Sequence, residues 1–320
     1  MDYFRTTVQV KPYPSKIDYK SKILAVGSCF AGNIGLKLKN AFFDTEINPF
    51  GVIYNPVSVL NSLNDLIADK KFIAGDLFEY KSLWHSFSHS SLFSDSNAES
   101  CLEQINNRLG YASEFLKNAG FLLITFGTAW VFEEKLSGKV VSNCHKLPSD
   151  HFNRRQLSVG EIVQSYTSLI EQLHGLNPEL KIVFTVSPIR HWKDGAHENT
   201  ISKSILLLAV DVIQKQFEDV FYFPAFEIQM DDLRDYRFYA DDMLHPSESA
   251  VRYIWDIFAQ SFMNDETLKL KMQMEQLSAD LAHRPLHPMS GEYKLFLHHL
   301  EKRRENIIRQ YPFLAERLQK

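Results

Sequence analysis

A short apolar run that stops at a glycine-serine pair constrains the fold of this chain more than any other feature. Residues 22–26 have the composition of a buried strand, which ends at Gly27-Ser28. Apolar residues then recur at fourfold spacing, which predicts a helix directly after Ser28: Phe30, Ile34 and Leu38. Ligands bind at the carboxyl ends of the strands in open α/β sheets, so Ser28 stands where chemistry is expected.

The local sequence leaves two roles open for Ser28. The unpaired amides of a helix N-terminus favour a developing anion, which suits a nucleophile flanked by glycine. Serine is also a frequent helix N-cap with no chemical role. Cys29 is a rival nucleophile, because a thiol at a helix N-terminus can have a lowered pKa. Free cysteines are often buried, however, and the Cys29 side chain is expected to point into the core.

Three further apolar runs end at small residues or proline and alternate with helical patterns. They are residues 121–126 before Gly127-Thr128, 181–186 before Ser187-Pro188, and 220–223 before Pro224. This βα alternation predicts a doubly wound, mainly parallel sheet with helices on both faces.

Other segments have less regular patterns. Residues 44–56 are predicted to be a loop with short extended pieces and 143–156 a loop. Residues 71–96 are predicted to be an irregular region that could contain short strands, and 130–141 a hairpin around Ser137-Gly138. A helix is expected over about 198–217 with these residues on one face: Ile201, Ile205, Leu208 and Val212.

The composition changes to charged helix formers from about residue 264. Residues 264–283 and 291–318 are predicted to form two amphipathic helices, split by the proline-containing segment 284–288. We expect an α/β domain over residues 1–262 and a C-terminal helical extension over 263–320. The extension is interpreted as an appendage or partner surface, through which the chain could form a homo-oligomer.

Composition and charge exclude several classes of protein. With 45% hydrophobic and 23% charged residues, the chain has the composition of a soluble globular protein. A net charge of −4 gives no argument for nucleic acid or an anionic membrane as partner. No apolar signal core or membrane-spanning run is present, and three irregularly spaced cysteines form no disulfide framework. A cytoplasmic location is therefore expected.

No cofactor or metal is expected from the motifs. The glycines near Ser28 lack the pattern of a phosphate-binding or dinucleotide-binding loop. Cys144-His145 with His151 provides fewer ligands than the four of a structural zinc site.

A second candidate motif lies far downstream, just before the last helix of the predicted sheet domain. Asp242 and His245 are three residues apart, so both side chains can point the same way on a turn. The carboxylate can then hold the imidazole tautomer while the other ring nitrogen faces a serine. Alone this motif is weak; together with Ser28 it suggests a Ser-Asp-His triad.

Several segments together resemble a known family. The pentapeptide Gly27-Ser28-Cys29-Phe30-Ala31 is similar to the signature that names the GSCFA domain family. The likeness extends over residues 143–146, 187–197 and 235–246, within roughly residues 20–260. That family is placed among the SGNH (GDSL-like) esterases and acyltransferases.

The resemblance implies a three-layer αβα flavodoxin-like SGNH-hydrolase fold with a mainly parallel sheet. It also implies that Ser28 is the nucleophile, His245 the base and Asp242 its orienting carboxylate. In SGNH enzymes the oxyanion hole combines the serine amide, a glycine and an asparagine. Gly51 matches the glycine by position, whereas residues 127–130 lack the expected asparagine motif, which leaves Thr128 or Asn143 as the third donor.

The resulting hypothesis is a serine-dependent ester hydrolase or acyltransferase that forms an acyl-Ser28 intermediate. The expected substrate is a small-molecule or glycan acyl ester. Loop residues that could bind it are Arg190, His191 and Trp130, although each could instead be a packing residue. The missing asparagine motivates an alternative: a non-catalytic carbohydrate-binding or scaffolding module that retains an SGNH-type pocket.

Overall fold

Five parallel strands form the centre of the molecule in a computed structural model that describes residues 5–318. The strands in chain order are β1 (Lys22–Gly27), β2 (Asp44–Ile47), β3 (Phe78–Tyr80), β4 (Leu83–His85), β5 (Phe121–Phe126), β6 (Trp130–Glu134), β7 (Val140–Val141), β8 (Phe152–Gln156), β9 (Lys181–Val186) and β10 (Val220–Tyr222). The central sheet has the order β10-β9-β5-β1-β2, all parallel. Counted along the chain, this is the flavodoxin-like order 2-1-3-4-5.

Helices connect the central strands and cover both faces of the sheet. They are α1 (Cys29–Asn40), α2 (Pro56–Ile67), α3 (Ala98–Lys117), α4 (Val159–Leu176), α5 (Gly195–Gln214), α6 (Ala225–Glu227), α7 (Glu248–Phe262), α8 (Asp265–Leu281), α9 (Gly291–Gln310) and α10 (Ala315–Leu318). Within residues 5–318, no helix is both long enough and apolar enough to cross a lipid bilayer.

Alternating residues of the buried strands separate two hydrophobic clusters, as the pleat of a strand requires. In β1, Leu24 and Val26 pack with helices α2 to α5, while Ile23 and Ala25 pack with α1 and α7. Both faces of the sheet are therefore buried under helices, which explains the continuous apolar runs in the sequence. The predicted three-layer flavodoxin-like α/β fold with a C-terminal helical region is confirmed.

The C-terminal helices are integrated with one layer of the sheet domain. Met274 and Leu277 of α8 belong to the same buried cluster as Trp255 of α7, and the Trp255 Nε1 donates to Glu275 Oε1 at 2.7 Å. Helix α9 ends at Gln310, earlier than predicted, because the following Tyr311-Pro312 cannot continue a helix. The boundary at residue 262 and a role in oligomerisation stay predictions.

Two local predictions are wrong. Residues 143–156 include β8, which pairs with β6 beside the predicted hairpin in a small antiparallel sheet. In α5 the face with Ile201, Leu208 and Val212 is partly exposed, and the buried face carries these residues instead: Asn199, Ser202, Lys203, Leu206, Ala209, Val210 and Ile213. Polar side chains occupy the buried face at the start of α5 because they bond to loops at the sheet edge.

The loop from β1 to α1 has a conformation that only glycine adopts. Gly27 has φ of +128°, and a Cβ there would lie 2.1 Å from the carbonyl oxygen of Thr125. The next amide, that of Ser28, donates to the same oxygen at 3.1 Å. Gly27 therefore allows the chain to leave β1 tightly against β5 and to begin α1 at the sheet edge.

The substitution Gly27→Ala is expected to lower the free energy of unfolding by about 2–6 kcal/mol, since it adds backbone strain to a steric clash. Denaturant unfolding measures this change. Gly160→Ala is the matched control, because among residues 5–318 its added Cβ meets no atom within 4 Å apart from its chain neighbours and the backbone of α4 itself. A change of about 1 kcal/mol or less is expected there. Equal effects of the two substitutions would contradict the role given to Gly27.

Candidate active site

The carboxyl ends of three neighbouring strands open into one cavity of about 520 Å³. Ser28 enters it from the end of β1, Thr128 from the loop after β5, and His191 from the loop after β9. His245 reaches the same cavity from the loop before α7. The cavity therefore lies where doubly wound sheets bind their ligands.

Of the two roles that the sequence left open for Ser28, the structure shows that of the helix N-cap. It is the N-cap of α1, with extended backbone angles, and its Oγ accepts the amide of Phe30 at 3.4 Å. That hydrogen bond is long, so the hydroxyl is only weakly held by the cap. Ser28 is only 1% exposed but lines the cavity, which places its hydroxyl at the cavity floor.

A tight turn holds Asp242 and His245 together. Asp242 Oδ1 accepts the backbone amides of Leu244 and His245, both at 2.9 Å. Its other oxygen, Oδ2, bonds to His245 Nδ1 at 2.5 Å. The two backbone amides, and then the His245 side chain, lower the pKa of Asp242 to about 2. The carboxylate thus stays ionised and fixes one ring nitrogen of His245, as a triad requires.

Ser28 and His245 line the same cavity, and their hydroxyl and imidazole are not directly bonded. Among the hydrogen bonds of residues 5–318, none joins these two side chains. Such bonds are often long in unliganded enzymes and tighten when substrate binds. The arrangement brings all three predicted triad residues to one site, and their catalytic roles stay predictions.

His191 is a second imidazole in the cavity, but it is poorly suited to act as a base. Burial, and then the charge of Lys203, lowers the pKa of His191 to about 4. Its ring packs edge-on against Tyr54, with centroids 5.5 Å apart, and its amide donates to Asn199 Oδ1 at 2.9 Å. A base with so low a pKa is weak at neutral pH. His191 therefore lines the cavity as a neutral imidazole.

Two amides predicted for the oxyanion hole already have acceptors. The Ser28 amide donates to the Thr125 carbonyl, and the Gly51 amide donates to the Asn48 carbonyl at 2.7 Å. Gly51 has φ of +76° and lies against Ser90, whose Oγ would be 1.9 Å from an added Cβ. The glycine is therefore required by the packing of this loop. Its role as an oxyanion donor stays a prediction that requires the bond to Asn48 to break.

Thr128 and Asn143, the candidates for the third donor, both line the cavity. The Thr128 hydroxyl accepts the Trp130 amide and lies 3.1 Å from Ser202 Oγ. The Asn143 amide nitrogen donates weakly to Ser91 Oγ, at 3.4 Å. Asn143 thus has the more available donor of the two.

Aromatic and basic side chains form one wall of the cavity. The Arg154 guanidinium lies 4.3 Å from the centre of the Trp130 ring and is paired with Asp194. Trp130 Nε1 is buried without a hydrogen-bond partner in the part of the chain that the structure describes. Arg190 also lines the cavity. The three predicted substrate-binding residues, Trp130, Arg190 and His191, are therefore brought together around Ser28.

Two family models match this chain. The GSCFA family matches residues 22–258, a span that includes Ser28, Asp242 and His245. The chain belongs to the GSCFA family. The C-terminal domain of GSCFA domain proteins matches residues 274–319. A search among curated proteins finds no significant match.

Solved structures similar to this GSCFA protein include three carbohydrate-active esterases. One is a family 3 carbohydrate esterase of Clostridium thermocellum, with 13% identity over 80% of this chain and 98% of that chain and a TM-score of 0.34. A family 3 carbohydrate esterase of Talaromyces cellulolyticus has 8% identity over 79% and 98%, with a TM-score of 0.37. The acetyl xylan esterase Est2A of Butyrivibrio proteoclasticus has 11% identity over 76% and 64%, with a TM-score of 0.36. TM-scores and identities this low do not establish that the chain shares the activity of these esterases.

Cys29, in the middle of the family pentapeptide, does not point into the core as expected. Its side chain is half-buried, lines the cavity and lies 3.5 Å from the Tyr54 hydroxyl. The orientation follows from the cap geometry: once Ser28 is the N-cap, the first helical residue faces outward over the sheet edge. Cys29 therefore stays a rival nucleophile.

Cys144-His145, another family segment, has a packing role. Both ring nitrogens of His145 have partners, Ser91 Oγ at 3.3 Å and the Ser86 carbonyl at 2.8 Å. Its ring also lies 4.5 Å from that of His85. Within the described residues 5–318, no group of histidine, cysteine and acidic side chains is arranged to hold a metal ion. The segment anchors the irregular loop that borders the cavity.

Lys203 is buried beside the strand ends that line the cavity, and the sequence analysis did not identify it. Its ammonium is buried and donates to the carbonyls of Gly127 and Ser187, both at 2.7 Å. These carbonyls follow β5 and β9, so Lys203 joins the ends of two strands. Burial, and then the charge of Arg190, lowers the pKa of Lys203 to about 7. The sequence does contain a pattern that could have indicated its burial: Asn199, Lys203 and Leu206 lie at helical spacing on one face of α5.

Lys203 predicts an unusual dependence of stability on pH. Its pKa is about 7 when folded and about 10.4 when unfolded, so the unfolded chain binds more protons between these values. The free energy of unfolding contributed by this group therefore rises with pH from 7 to 10, by about 1 kcal/mol per pH unit. Denaturant unfolding of wild type and Lys203→Met at several pH values isolates the contribution.

The Lys203→Met variant is expected to lack this rise, whatever its absolute stability. Lys215→Met serves as the control, because Lys215 is exposed, directly follows α5 and forms an ion pair with Asp211 on the protein surface. A variant at Lys203 that keeps the wild-type slope between pH 7 and 10 would contradict the assignment.

Proposed function

We propose that this protein hydrolyses an acyl ester of a carbohydrate through an acyl-Ser28 intermediate, as a serine esterase of the SGNH type. The observation that carries the proposal is the shared cavity: an imidazole fixed by an ionised carboxylate opens onto the same space as a serine at the start of a helix. Nucleophile, base and orienting group are the three parts that acyl transfer to a serine requires.

The reaction follows from the roles of these groups. Ser28 Oγ attacks the ester carbonyl carbon while His245 Nε2 takes the hydroxyl proton. The bond to the alcohol oxygen then breaks, and His245 returns the proton to the leaving alcohol. A water molecule, deprotonated by His245, attacks the acyl-serine and releases the acid. Asp242 stays ionised throughout and stabilises the imidazolium.

The anionic intermediate needs donors near Ser28. The N-terminus of α1 carries a partial positive charge, and the amide of Cys29, as the first helical residue, has no intrahelical acceptor. Asn143 lines the same cavity; its side-chain oxygen is fixed by the His145 amide at 2.8 Å, while its side-chain nitrogen donates over the long distance of 3.4 Å to Ser91 Oγ. These two groups are the proposed donors while the Ser28 and Gly51 amides keep their backbone acceptors.

A fluorophosphonate probe is expected to label the wild-type protein covalently and to leave Ser28→Ala unlabelled, because the probe reacts with an activated serine hydroxyl. Gel fluorescence and peptide mass spectrometry locate the adduct. Cys29→Ala is the matched control on the adjacent residue and should keep the label. Labelling that survives Ser28→Ala but is lost in Cys29→Ala would reassign the nucleophile to the thiol.

Asp242→Asn is expected to lower kcat/KM on a carbohydrate acetyl ester by about 10²–10⁴-fold, because an amide no longer fixes the proton on His245 Nδ1. Asp241→Asn provides a control for the loss of one charge in the same loop and should stay within about twofold of wild type. Equal losses in the two variants would argue against a triad.

A second candidate function is a carbohydrate-binding module without catalysis. It is favoured by one observation, the backbone acceptors that already occupy the Ser28 and Gly51 amides. Glycan binding that is unchanged by Ser28→Ala, with no release of acid from any acyl ester, would support it. Release of acid, or transfer of the acyl group to an added sugar, would exclude it.

A further inference from the structure

The charge of Arg190 distinguishes it from the other half-buried arginines. Among residues 5–318, five arginines are half-buried, and four of them are paired with carboxylates: Arg108 with Glu46, Arg155 with Glu133 and Glu161, Arg304 with Glu301, and Arg317 with Asp44. Arg190, in the same described range, has no carboxylate within salt-bridge distance. A guanidinium partly removed from water without a counter-charge is costly.

The hydrogen bonds of Arg190 are also incomplete. Its Nε is buried and has no partner among residues 5–318. One terminal nitrogen donates to Thr200 Oγ1, at the long distance of 3.4 Å. A guanidinium has five N–H donors in a fixed fork, and it binds carboxylate or phosphate oxygens in pairs. Arg190 is therefore a preformed donor group that lacks its acceptor.

The position of Arg190 joins the active-site cavity to a second groove. Arg190, Trp192 and Leu244 line both the 520 Å³ cavity and an adjoining groove of about 470 Å³. The guanidinium lies 5.6 Å from the centre of the Trp192 ring, which is half-exposed. An indole at the mouth of a cleft offers an apolar face to a sugar ring. A ligand that spans the junction would meet the cation and the aromatic ring together.

Nearby acidic side chains are already engaged. Asp194 bonds to Arg154, Asp242 to His245, and Asp235 to Arg237. Lys193 adds a positive charge to the same cavity, where it packs over the Phe132 ring. Positive charge therefore exceeds negative charge around Arg190, although the whole chain has a net charge of −4.

We infer that the ester bound at Ser28 carries a negatively charged group, a carboxylate or phosphate on its sugar, and that Arg190 binds this group while Trp192 stacks on the ring. The inference rests on the proposed function and specifies its substrate class. In this arrangement the acyl group points to Ser28 and the anion to the junction with the second groove.

Matched substrates test the inference kinetically. Wild type is expected to hydrolyse O-acetylated methyl glucuronoside with a kcat/KM about tenfold or more above that for O-acetylated methyl glucoside, since a charge-assisted hydrogen bond separates the two. The Arg190→Gln variant is expected to reduce this ratio to near one. Arg309→Gln, at an exposed arginine of α9, is the control and should keep the wild-type ratio. A wild-type ratio near one would exclude a carboxylate as the recognised group, and a ratio unchanged by Arg190→Gln would overturn the role of Arg190.

A binding measurement separates this inference from the proposed function. Calorimetry on Ser28→Ala uses three probes: methyl glucuronoside, methyl glucoside 6-phosphate and methyl glucoside. At least one anionic sugar is expected to bind about tenfold tighter than the neutral one, and adding Arg190→Gln should remove the difference. Which anionic sugar binds identifies carboxylate or phosphate as the group. If no ester is hydrolysed but this difference is found, the esterase proposal fails and the anion site stands; equal affinities for the three probes overturn the site.

Discussion

The hydrogen bond from the Ser28 amide to the Thr125 carbonyl is the interaction on which the site depends. It forms because Gly27 has no Cβ, which would lie 2.1 Å from the same oxygen. The bond joins β1 to β5 at the point where α1 begins, and so places the Ser28 hydroxyl on the cavity floor. The same bond occupies one of the amides that the sequence predicted for the oxyanion hole. The Ser28 amide therefore fixes the position of the serine and, while it does so, is not free to donate a hydrogen bond to an oxyanion.

Burial at the sheet edge controls charge as well as geometry. Lys203 satisfies two strand-end carbonyls, and burial lowers both its pKa and that of His191. The neighbouring Arg190 guanidinium adds a positive charge to the same edge of the sheet. Positive charges packed this closely repel one another, which lowers the pKa of Lys203 further. A negatively charged ligand at Arg190, as inferred above, would relieve that repulsion.

The sequence predicts what depends on local pattern. The buried strands β1, β5, β9 and β10 are apolar runs, and the turn at Ser28 follows from a strand period that changes to a helix period. Edge strand β2 contains Asp44 and Glu46 and has no such run; its pairing with β1 comes from the tertiary fold. A prediction based on hydrophobicity alone therefore treats this segment as a loop.

The errors within the site have the same origin. The apolar residues of α5 suggested the wrong buried face, because Lys203 and Ser202 are buried by partners far away in sequence. The orientation of Cys29 depends on which residue caps α1, and the environment of Gly51 depends on its contact with Ser90. Motif spacing brought Asp242 and His245 together correctly, because both lie in one short turn whose geometry is local.

The packing of the C-terminal helices has a consequence for how this chain can be dissected. Helix α8 packs on α1 and α7, and it covers Trp255 with Met274 and Leu277. A chain cut near residue 262 would expose this indole and the apolar layer that supports the helix of Ser28. Such a fragment would be prone to aggregate through its newly exposed apolar surface. A change in its particle mass would then reflect this exposure and not the loss of a contact between subunits. Point substitutions on the solvent face of α9 are the way to examine assembly while leaving α1, which Ser28 caps, supported.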